Sequence, residues 1–262
     1  MGPIVDLVAD LGEGFGSYSM GDDAALLEVV SSANIACGFH AGDPDIMNAT
    51  VAECVRRGVS IGAHPSFPDL RGFGRRAMDL TADEVRNDVL YQFGALSAFA
   101  AYHGTGVAHI APHGRLGNLV ATRADYAEAV ADAASRINPD LIVLAQDGAL
   151  AAAAARLQLP VGIVGIADRA YEADGTLVPR SRPGAVIHDP SAIVDRTIRM
   201  VCEGLIETVA GTDLPIVADT VLLHGDTPGA VQLARQVRAE LENAGVRIAP
   251  LAQVLAAKVT AA

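Results

Sequence analysis

The chain has 262 residues, of which 51% are hydrophobic, so it is long enough to bury a sizeable core as one large barrel or two small domains. Only 4% are aromatic and Trp is absent, which means that this core is built mainly from aliphatic side chains. The formal net charge of -12 repels phosphate backbones and anionic lipid headgroups, so neither nucleic acid nor a membrane is expected as a partner.

Short apolar runs alternate with longer segments of helical period, the pattern of parallel strands joined by crossover helices. The seven predicted strands cover residues 5–10, 34–37, 60–63, 107–111, 141–145, 161–166 and 221–223. The predicted helices cover residues 23–30, 45–57, 81–102, 124–135, 148–157, 191–210 and 229–243. Thr81 and Glu84 have capping-box spacing, and Gly58 and Gly245 stand where helices are expected to end.

This order of elements predicts an α/β fold. No linker or compositional break divides the chain, so we expect a single domain over residues 1–262. Seven parallel strands favour a closed or nearly closed β/α barrel. An open doubly wound sheet is the alternative, because periodicity does not give the order of the strands.

The cysteines and the N-terminus indicate the compartment. Cys37, Cys54 and Cys202 are odd in number and lack CxxC spacing, which predicts neither a disulfide framework nor a zinc knuckle. The N-terminal residues lack the basic and apolar segments of a signal peptide, and no run of ~18 apolar residues follows. We therefore expect a soluble, cytoplasmic protein.

Polar residues concentrate directly after the predicted strands. In either architecture the carboxyl ends of parallel strands meet at one face, where ligand sites form. A single His or Asp at a strand end is more often a helix cap or a loop hydrogen-bonder, but residues at six strand ends predict a shared site. These residues are Asp10, Glu13, His40, Asp43, His64, Asp69, His113, Asn118, Asp168, Arg169, His224 and Asp226.

Several common catalytic and cofactor motifs are absent from the sequence. No GxxxxGK[ST] occurs and no GxGxxG follows the first strand, so ATP is not expected to bind to this chain alone. Asp10, His40, His64 and His113 suit a divalent metal but lack HxH or HExxH spacing, so a metal stays an open alternative. No GxSxG elbow occurs, and Cys37 is expected to be an inert thiol. Acid–base chemistry by Asp, Glu and His is therefore the expected mode of catalysis.

Blocks of sequence along nearly the whole chain resemble the LamB/YcsF family. The most specific block is SANIACGFHAGDP at residues 32–44. Further blocks in the same order are ADLGEGFG at 9–16, IGAHP at 61–65, PHG at 112–114, ADRAY at 167–171 and HGDTPG at 224–229. So many ordered blocks are not expected by chance.

The resemblance implies a fold and an activity. The implied fold is a seven-stranded parallel β/α barrel of the glycoside hydrolase and deacetylase class. The implied activity is that of an ATP-dependent 5-oxoprolinase, which hydrolyses the lactam of 5-oxo-L-proline to L-glutamate. This chain would act as the A subunit beside partner subunits B and C, with ATP used by the complex.

The resemblance also implies roles for individual residues. Asp10 or Glu13 would act as the base, and His40, His64 and His113 would orient water or stabilise developing charge. Arg75 or Arg169 would bind a phosphate or a carboxylate. The residues expected to contact the substrate are Asn34, Asp43, Arg75, Asn118, Asp168, Arg169 and His224.

The chain departs from the family pattern at several positions, including Arg115, which stands where the family usually has Ala. Val8, Ala111, Gly117 and Val164 stand where the family usually has Asn, Lys, Tyr and Glu. Such groups stabilise charge or transfer protons, and each contributes roughly 10²-fold to the rate where it acts in a transition state. Two alternatives therefore stay open: a diverged amide or carbohydrate-directed hydrolase, and a non-catalytic barrel that binds a ligand or partner subunits.

Overall fold

The computed structural model describes residues 2–223 and 229–261, and its largest sheet is a closed parallel barrel. The strands are β1 (Ile4–Leu11), β2 (Ser32–Ala36), β3 (Ser60–His64), β4 (His109–Ile110), β5 (Ile142–Ala145), β6 (Val161–Ile166), β7 (Leu205–Glu207), β8 (Asp213–Pro215), β9 (Thr220–Leu223) and β10 (Arg247–Ile248). Strands β1 to β6 pair in order, β9 pairs with β6, and β9 also pairs with β1, which closes the circle. The predicted seven-stranded barrel is confirmed, and the open sheet is excluded.

Helices follow most barrel strands. They are α1 (Asp23–Leu26), α2 (Pro44–Arg57), α3 (Ala82–Tyr102), α4 (Gly114–Val120), α5 (Ala124–Ile137), α6 (Ala149–Arg156), α7 (Pro190–Cys202), α8 (Ala230–Asn243) and α9 (Leu251–Ala261). Thr81 and Glu84 form the predicted capping box at the start of α3. Among the described residues, no helix is both long and apolar enough to cross a membrane.

The helix predicted at residues 191–210 is wrong beyond Cys202. Gly204 adopts a left-handed φ of 68°, which ends the helical segment, and β7 then pairs with β8 as an antiparallel hairpin. Ile206 fitted the helical period, but it lies in β7 of this hairpin, where its side chain is buried. Sequence analysis also missed the short helix α4, the edge strand β10 and the C-terminal helix α9.

The barrel wall separates two cores, as β1 illustrates. Leu7, Ala9 and Leu11 belong to the large core shared with the surrounding helices. Val8 belongs to a second, smaller cluster, because successive side chains of a strand point to opposite faces. This inner cluster includes Leu251 of α9, so the C-terminal helix packs against the barrel interior.

Near the amino end of the barrel, a buried carboxylate ties three segments together. Asp6 accepts hydrogen bonds from the hydroxyls of Ser31 at 2.6 Å, Ser32 at 2.8 Å and Thr220 at 2.7 Å. Burial raises the pKa of Asp6 to about 6, although these three hydroxyls oppose the shift by stabilising the charged form. The network links β1 to β2 and to β9, at the seam where the barrel closes.

Nearer the carboxyl ends, strand register aligns four residues of the barrel interior. Asp10 pairs with Asn34, Asn34 with Gly62, and Gly62 with His109, across β1 to β4. Gly62 leaves room for the His109 ring, because a Cβ at Gly62 would lie only 1.9 Å from His109 Nε2. The ring therefore crosses β3 and reaches Asn34 Oδ1 at 2.8 Å.

We expect the stability of the protein, relative to an Asp6→Asn variant, to fall as the pH rises from about 4 to about 7. The folded-state pKa of Asp6 is about 6, above the ordinary value of 3.8, so the folded state binds the proton more tightly. The stabilisation from protonation is complete below the unfolded pKa and is lost as the pH rises through the folded pKa. Urea denaturation at several pH values should show a change of about 3 kcal/mol; a constant difference would contradict it.

Replacing Gly62 by Ala is expected to destabilise the protein by about 1–3 kcal/mol, because the new methyl group displaces the His109 ring. Gly94 gives the matched control, since it lies exposed within α3 and a methyl group added there would meet nothing within 4 Å. Gly94→Ala should stabilise the helix by roughly 0.5–1 kcal/mol. Urea midpoints of both variants measure the contrast, and a Gly62→Ala protein as stable as the parent would refute the register argument.

Candidate active site and metal centre

Four buried side chains meet at the carboxyl end of the barrel. Glu13 follows β1, His40 follows β2, His64 ends β3, and His113 follows β4. One ligand atom from each lies within 4.8 Å of the others. Four segments that are distant in sequence therefore place a carboxylate and three imidazoles around one point.

Backbone carbonyls fix the proton positions of two of these histidines. His64 Nδ1 donates to the Ala111 carbonyl at 2.5 Å, and His113 Nε2 donates to the Phe73 carbonyl at 3.0 Å. A carbonyl only accepts, so these partners assign the ring protons. His64 Nε2 and His113 Nδ1 are thereby turned towards each other, 2.9 Å apart, at the centre of the cluster.

The His40 ring completes the centre by packing on His113. The two rings are stacked with centroids 3.8 Å apart, and His40 Nε2 lies 3.1 Å from Glu13 Oε1. Burial and the neighbouring His113 and His64 hold the pKa of His40 well below its usual range. His40 Nδ1 is buried without a hydrogen-bond partner among residues 2–223 and 229–261.

The neighbouring Asp10 belongs to a buried polar chain that leads into the cluster. Asn34 Nδ2 donates to Asp10 Oδ1 at 2.9 Å, and the same oxygen lies 3.3 Å from His64 Nε2. Since His109 Nε2 lies 2.8 Å from Asn34 Oδ1, the amide of Asn34 is oriented with its nitrogen towards Asp10. The Asp10 carboxylate is thus aimed at the cluster by contacts within the barrel.

Burial separates the acid–base properties of the histidines. It lowers the pKa of both His109 and His113 to about 3, with the charge of His64 acting in the same direction. Burial opposes protonation of His64 too, but the carboxylates of Asp10 and Glu13 outweigh it and raise the His64 pKa. At neutral pH, His40 and His113 are therefore neutral, and His113, whose proton lies on Nε2, presents the lone pair of Nδ1 to the centre.

A cavity of about 620 Å³ opens beside this cluster. Arginines line part of its wall: Arg75, Arg115, Arg169 and Arg180. Arg169 is itself buried and held rigidly, since its guanidinium donates to the Ala185 carbonyl at 3.1 Å and the Val178 carbonyl at 2.6 Å. The cavity thus combines acid–base groups with a wall suited to an anionic ligand.

The remaining wall inside the barrel is apolar. Ala111, Leu144, Val164 and Leu222 line the cavity and also belong to, or pack against, the inner cluster that contains Val8. We call these four residues the apolar floor. Three of the positions expected to depart from the family pattern, Val8, Ala111 and Val164, therefore lie in or against one cluster.

The structure brings most of the predicted site residues together. Glu13, His40, His64 and His113 form the cluster, Asp10 lies beside it, and Asn34 orients Asp10. Arg75, Asn118 and Arg169 line the same cavity.

Two of the residues expected to contact the substrate do not line this cavity, and a third is not among the described residues. Asp43 does not line the cavity; it caps α2 by accepting from the Ile46 amide at 3.0 Å, and it accepts from the Gly16 amide at 2.7 Å. Asp168 lines a separate cavity of about 130 Å³. His224 lies outside the described residues.

Sequence analysis missed His109, because a lone histidine within an apolar run is typical of a buried strand residue. The available signal was alternation, which puts His109 on the same face of β4 as Ala111. The anchoring carbonyl of Phe73 carried no such signal.

The donor set of the cluster fits a divalent metal ion. One carboxylate oxygen and three imidazole nitrogens are ligands that suit Zn²⁺ and related ions. His64 and His113 each donate their other ring N–H to a backbone carbonyl, which is the usual support for a metal-binding histidine. Glu13, His40, His64 and His113 are therefore the residues that could hold such an ion.

Two solved structures illustrate what this barrel is similar to. A lactam utilization protein from Thermus thermophilus superimposes with a TM-score of 0.89 at 42% identity, covering 94% of this chain and 99% of that chain. A peptidoglycan deacetylase mutant from Bacillus subtilis gives a TM-score of 0.51 at 12% identity, covering 99% of this chain and 95% of that chain. The second likeness shows a shared fold only.

Sequence comparison gives closer relatives. A protein from Rhodopseudomonas palustris named as the A subunit of 5-oxoprolinase is 50% identical over 95% of this chain and 98% of its own length. A protein of the same name from Heliobacterium modesticaldum is 49% identical over 93% of this chain and 96% of its own length. The LamB/YcsF family model matches residues 5–256. The chain belongs to the LamB/YcsF family.

Proposed function

We propose that this chain is the A subunit of an ATP-dependent 5-oxoprolinase, which hydrolyses the lactam of 5-oxo-L-proline to L-glutamate together with subunits B and C. The observation that carries the proposal is the position of Asp10 and the Glu13–histidine cluster beside an arginine-lined cavity. The names of relatives that share about half of its residues support the same activity.

The chemistry suits these groups. A lactam carbonyl is a poor electrophile, and transfer of the ATP γ-phosphoryl group to its oxygen creates a leaving group. Water then adds its oxygen to the carbonyl carbon, and the ring C–N bond breaks as the nitrogen takes up a proton, which leaves the γ-acyl phosphate of glutamate. A second water molecule attacks this acyl phosphate, and phosphate departs. The products are glutamate, ADP and phosphate, so one base is needed for the attacking water and one acid for the nitrogen.

We assign the base to Asp10. It lines the cavity, it is oriented by Asn34, and it is not one of the four grouped ligands. Arg169, whose guanidinium is held by two backbone carbonyls, is assigned to the substrate carboxylate. The nucleotide is assigned to the complex as a whole, since the sequence of this chain has no phosphate-binding loop.

We further propose that Glu13, His40, His64 and His113 hold one divalent metal ion. The low pKa of His40 and His113 keeps both rings neutral, so each has a lone pair that a metal ion could bind. A bound ion would supply Lewis acidity towards a carbonyl oxygen or a water molecule. The Ala111 and Phe73 carbonyls would hold the rings of His64 and His113 in place around such an ion.

The activity is tested with the purified chain and its B and C subunits, by measuring glutamate release from 5-oxoproline with and without ATP. We expect ATP-dependent glutamate from the parent complex and a loss of roughly 100-fold or more in kcat for Asp10→Asn. Asp83→Asn, at the exposed start of α3, is the control and should keep full activity.

An inactive parent complex would overturn the assignment to 5-oxoproline. Release of acetate from acetylated sugars would then favour the carbohydrate-directed alternative. Binding of partner subunits without turnover of either substrate would favour a non-catalytic barrel.

Metal binding is tested without reference to activity, by dialysis against Zn²⁺ or Mn²⁺ and elemental analysis. We expect about one ion per chain, and affinity reduced by roughly 100-fold or more in Glu13→Gln and in His40→Gln. His103→Gln is the matched control, because His103 follows α3 and pairs with Asn48 away from the cluster. Equal metal content in the parent and in both cluster variants would exclude this site.

A further inference from the structure

The cavity has two chemically different sides, and the proposed reaction uses only one of them. The Asp10 and Glu13–histidine side supplies acid–base groups, and the arginines supply positive charge. The apolar floor supplies neither acid–base groups nor charge. Its residues come from neighbouring strands of the barrel: Ala111, Leu144, Val164 and Leu222.

The apolar floor is continuous with a packed aliphatic cluster rather than a surface of scattered side chains. Val8 and Leu251 belong to the same cluster and are 0% and 1% exposed. Val164 and Leu222 remain half-buried, with part of their surface still open. A polar ligand group placed here would lose water without gaining a hydrogen bond from these side chains, whereas an alkyl group would gain by burial.

The volume of the cavity also favours a ligand that is larger than 5-oxoproline. A cavity of about 620 Å³ lies within the range of ~300–1,000 Å³ that encloses drug-sized ligands. Unsubstituted 5-oxoproline is a five-membered ring with one carboxylate and is much smaller than such ligands. With its carboxylate at Arg169 and its carbonyl towards the Glu13–histidine cluster, 5-oxoproline has no apolar group large enough to cover the floor.

We propose, on the basis of the lactam hydrolysis proposed above, that the preferred substrate is a carboxylated lactam that carries an apolar substituent on its ring. The carboxylate faces the arginines, the lactam carbonyl faces Asp10 and the cluster, and the substituent rests on the apolar floor. The bonds made and broken are those of 5-oxoproline hydrolysis, since the substituent takes no part in the reaction.

The test compares 5-oxoproline with derivatives that carry a propyl group on either ring methylene. Calorimetric titration of the whole chain measures their affinities. Each buried methylene is expected to tighten binding by about fourfold, so the better derivative should bind roughly 50-fold more tightly than 5-oxoproline. A more negative heat-capacity change is expected for the same derivative, because it buries more apolar surface.

Two variants of β6 locate the effect. Val164→Thr keeps the shape of the side chain but places a hydroxyl on the floor, and should remove most of the preference for the propyl derivative. Val161→Thr is the matched control: it lies on the same strand but packs against the outer core, so the preference should persist. Equal affinities for the parent, or the same preference in Val164→Thr, would overturn the proposal.

The same ligands, supplied with ATP to the complex with subunits B and C, separate this inference from the proposed function. Hydrolysis of the propyl derivative with a higher kcat/KM than that of 5-oxoproline supports both the inference and the proposed function. Hydrolysis of 5-oxoproline with an equal or higher kcat/KM overturns the inference alone. Tight binding of the propyl derivative without hydrolysis of any lactam overturns the proposed function and retains the binding preference.

Discussion

The parallel register of β1 to β4 is the constraint on which the site depends. It sets Asp10, Asn34, Gly62 and His109 side by side on four neighbouring strands. Because they share one level and one face, the contacts from His109 to Asn34 and from Asn34 to Asp10 form within the barrel wall. A slip of one residue would turn an entire strand's inner side chains outward, so register and site geometry are specified together.

Periodicity was sufficient to predict seven parallel strands with crossover helices, because the strands are apolar runs separated by helical segments, but it did not give the strand order that closes the barrel. It failed at residues 205–215, where two three-residue strands are too short to show alternation and continue the apolar spacing of the preceding helix. Strand ends also predicted that Asp10, His40, His64 and His113 share one face. The grouping of the three histidines with Glu13, in place of Asp10, as candidate metal donors was not predictable from spacing, since only folding brings these four ligand atoms within 4.8 Å of one another.

Net charge is a poor guide to the charge of the ligand in this protein. The chain carries -12 overall, yet four arginines line a single cavity. Burial and the charges of Arg180 and Arg75 lower the pKa of Arg169, which shows that these groups share one local field. Ordinary guanidinium pKa values lie so high that Arg169 stays charged, so positive charge is present in this cavity although the chain as a whole is acidic. The roles assigned to individual site residues stay predictions.

The positions that depart from the family pattern show why such changes have to be read in three dimensions. Val8, Ala111 and Val164 are far apart in sequence but join one aliphatic cluster. Val8, Ala111 and Val164 contribute to a packed apolar surface inside the barrel. Asp10 keeps its contacts with Asn34 and His64 in the same barrel, so this apolar surface and the groups proposed for the chemistry are carried by different residues.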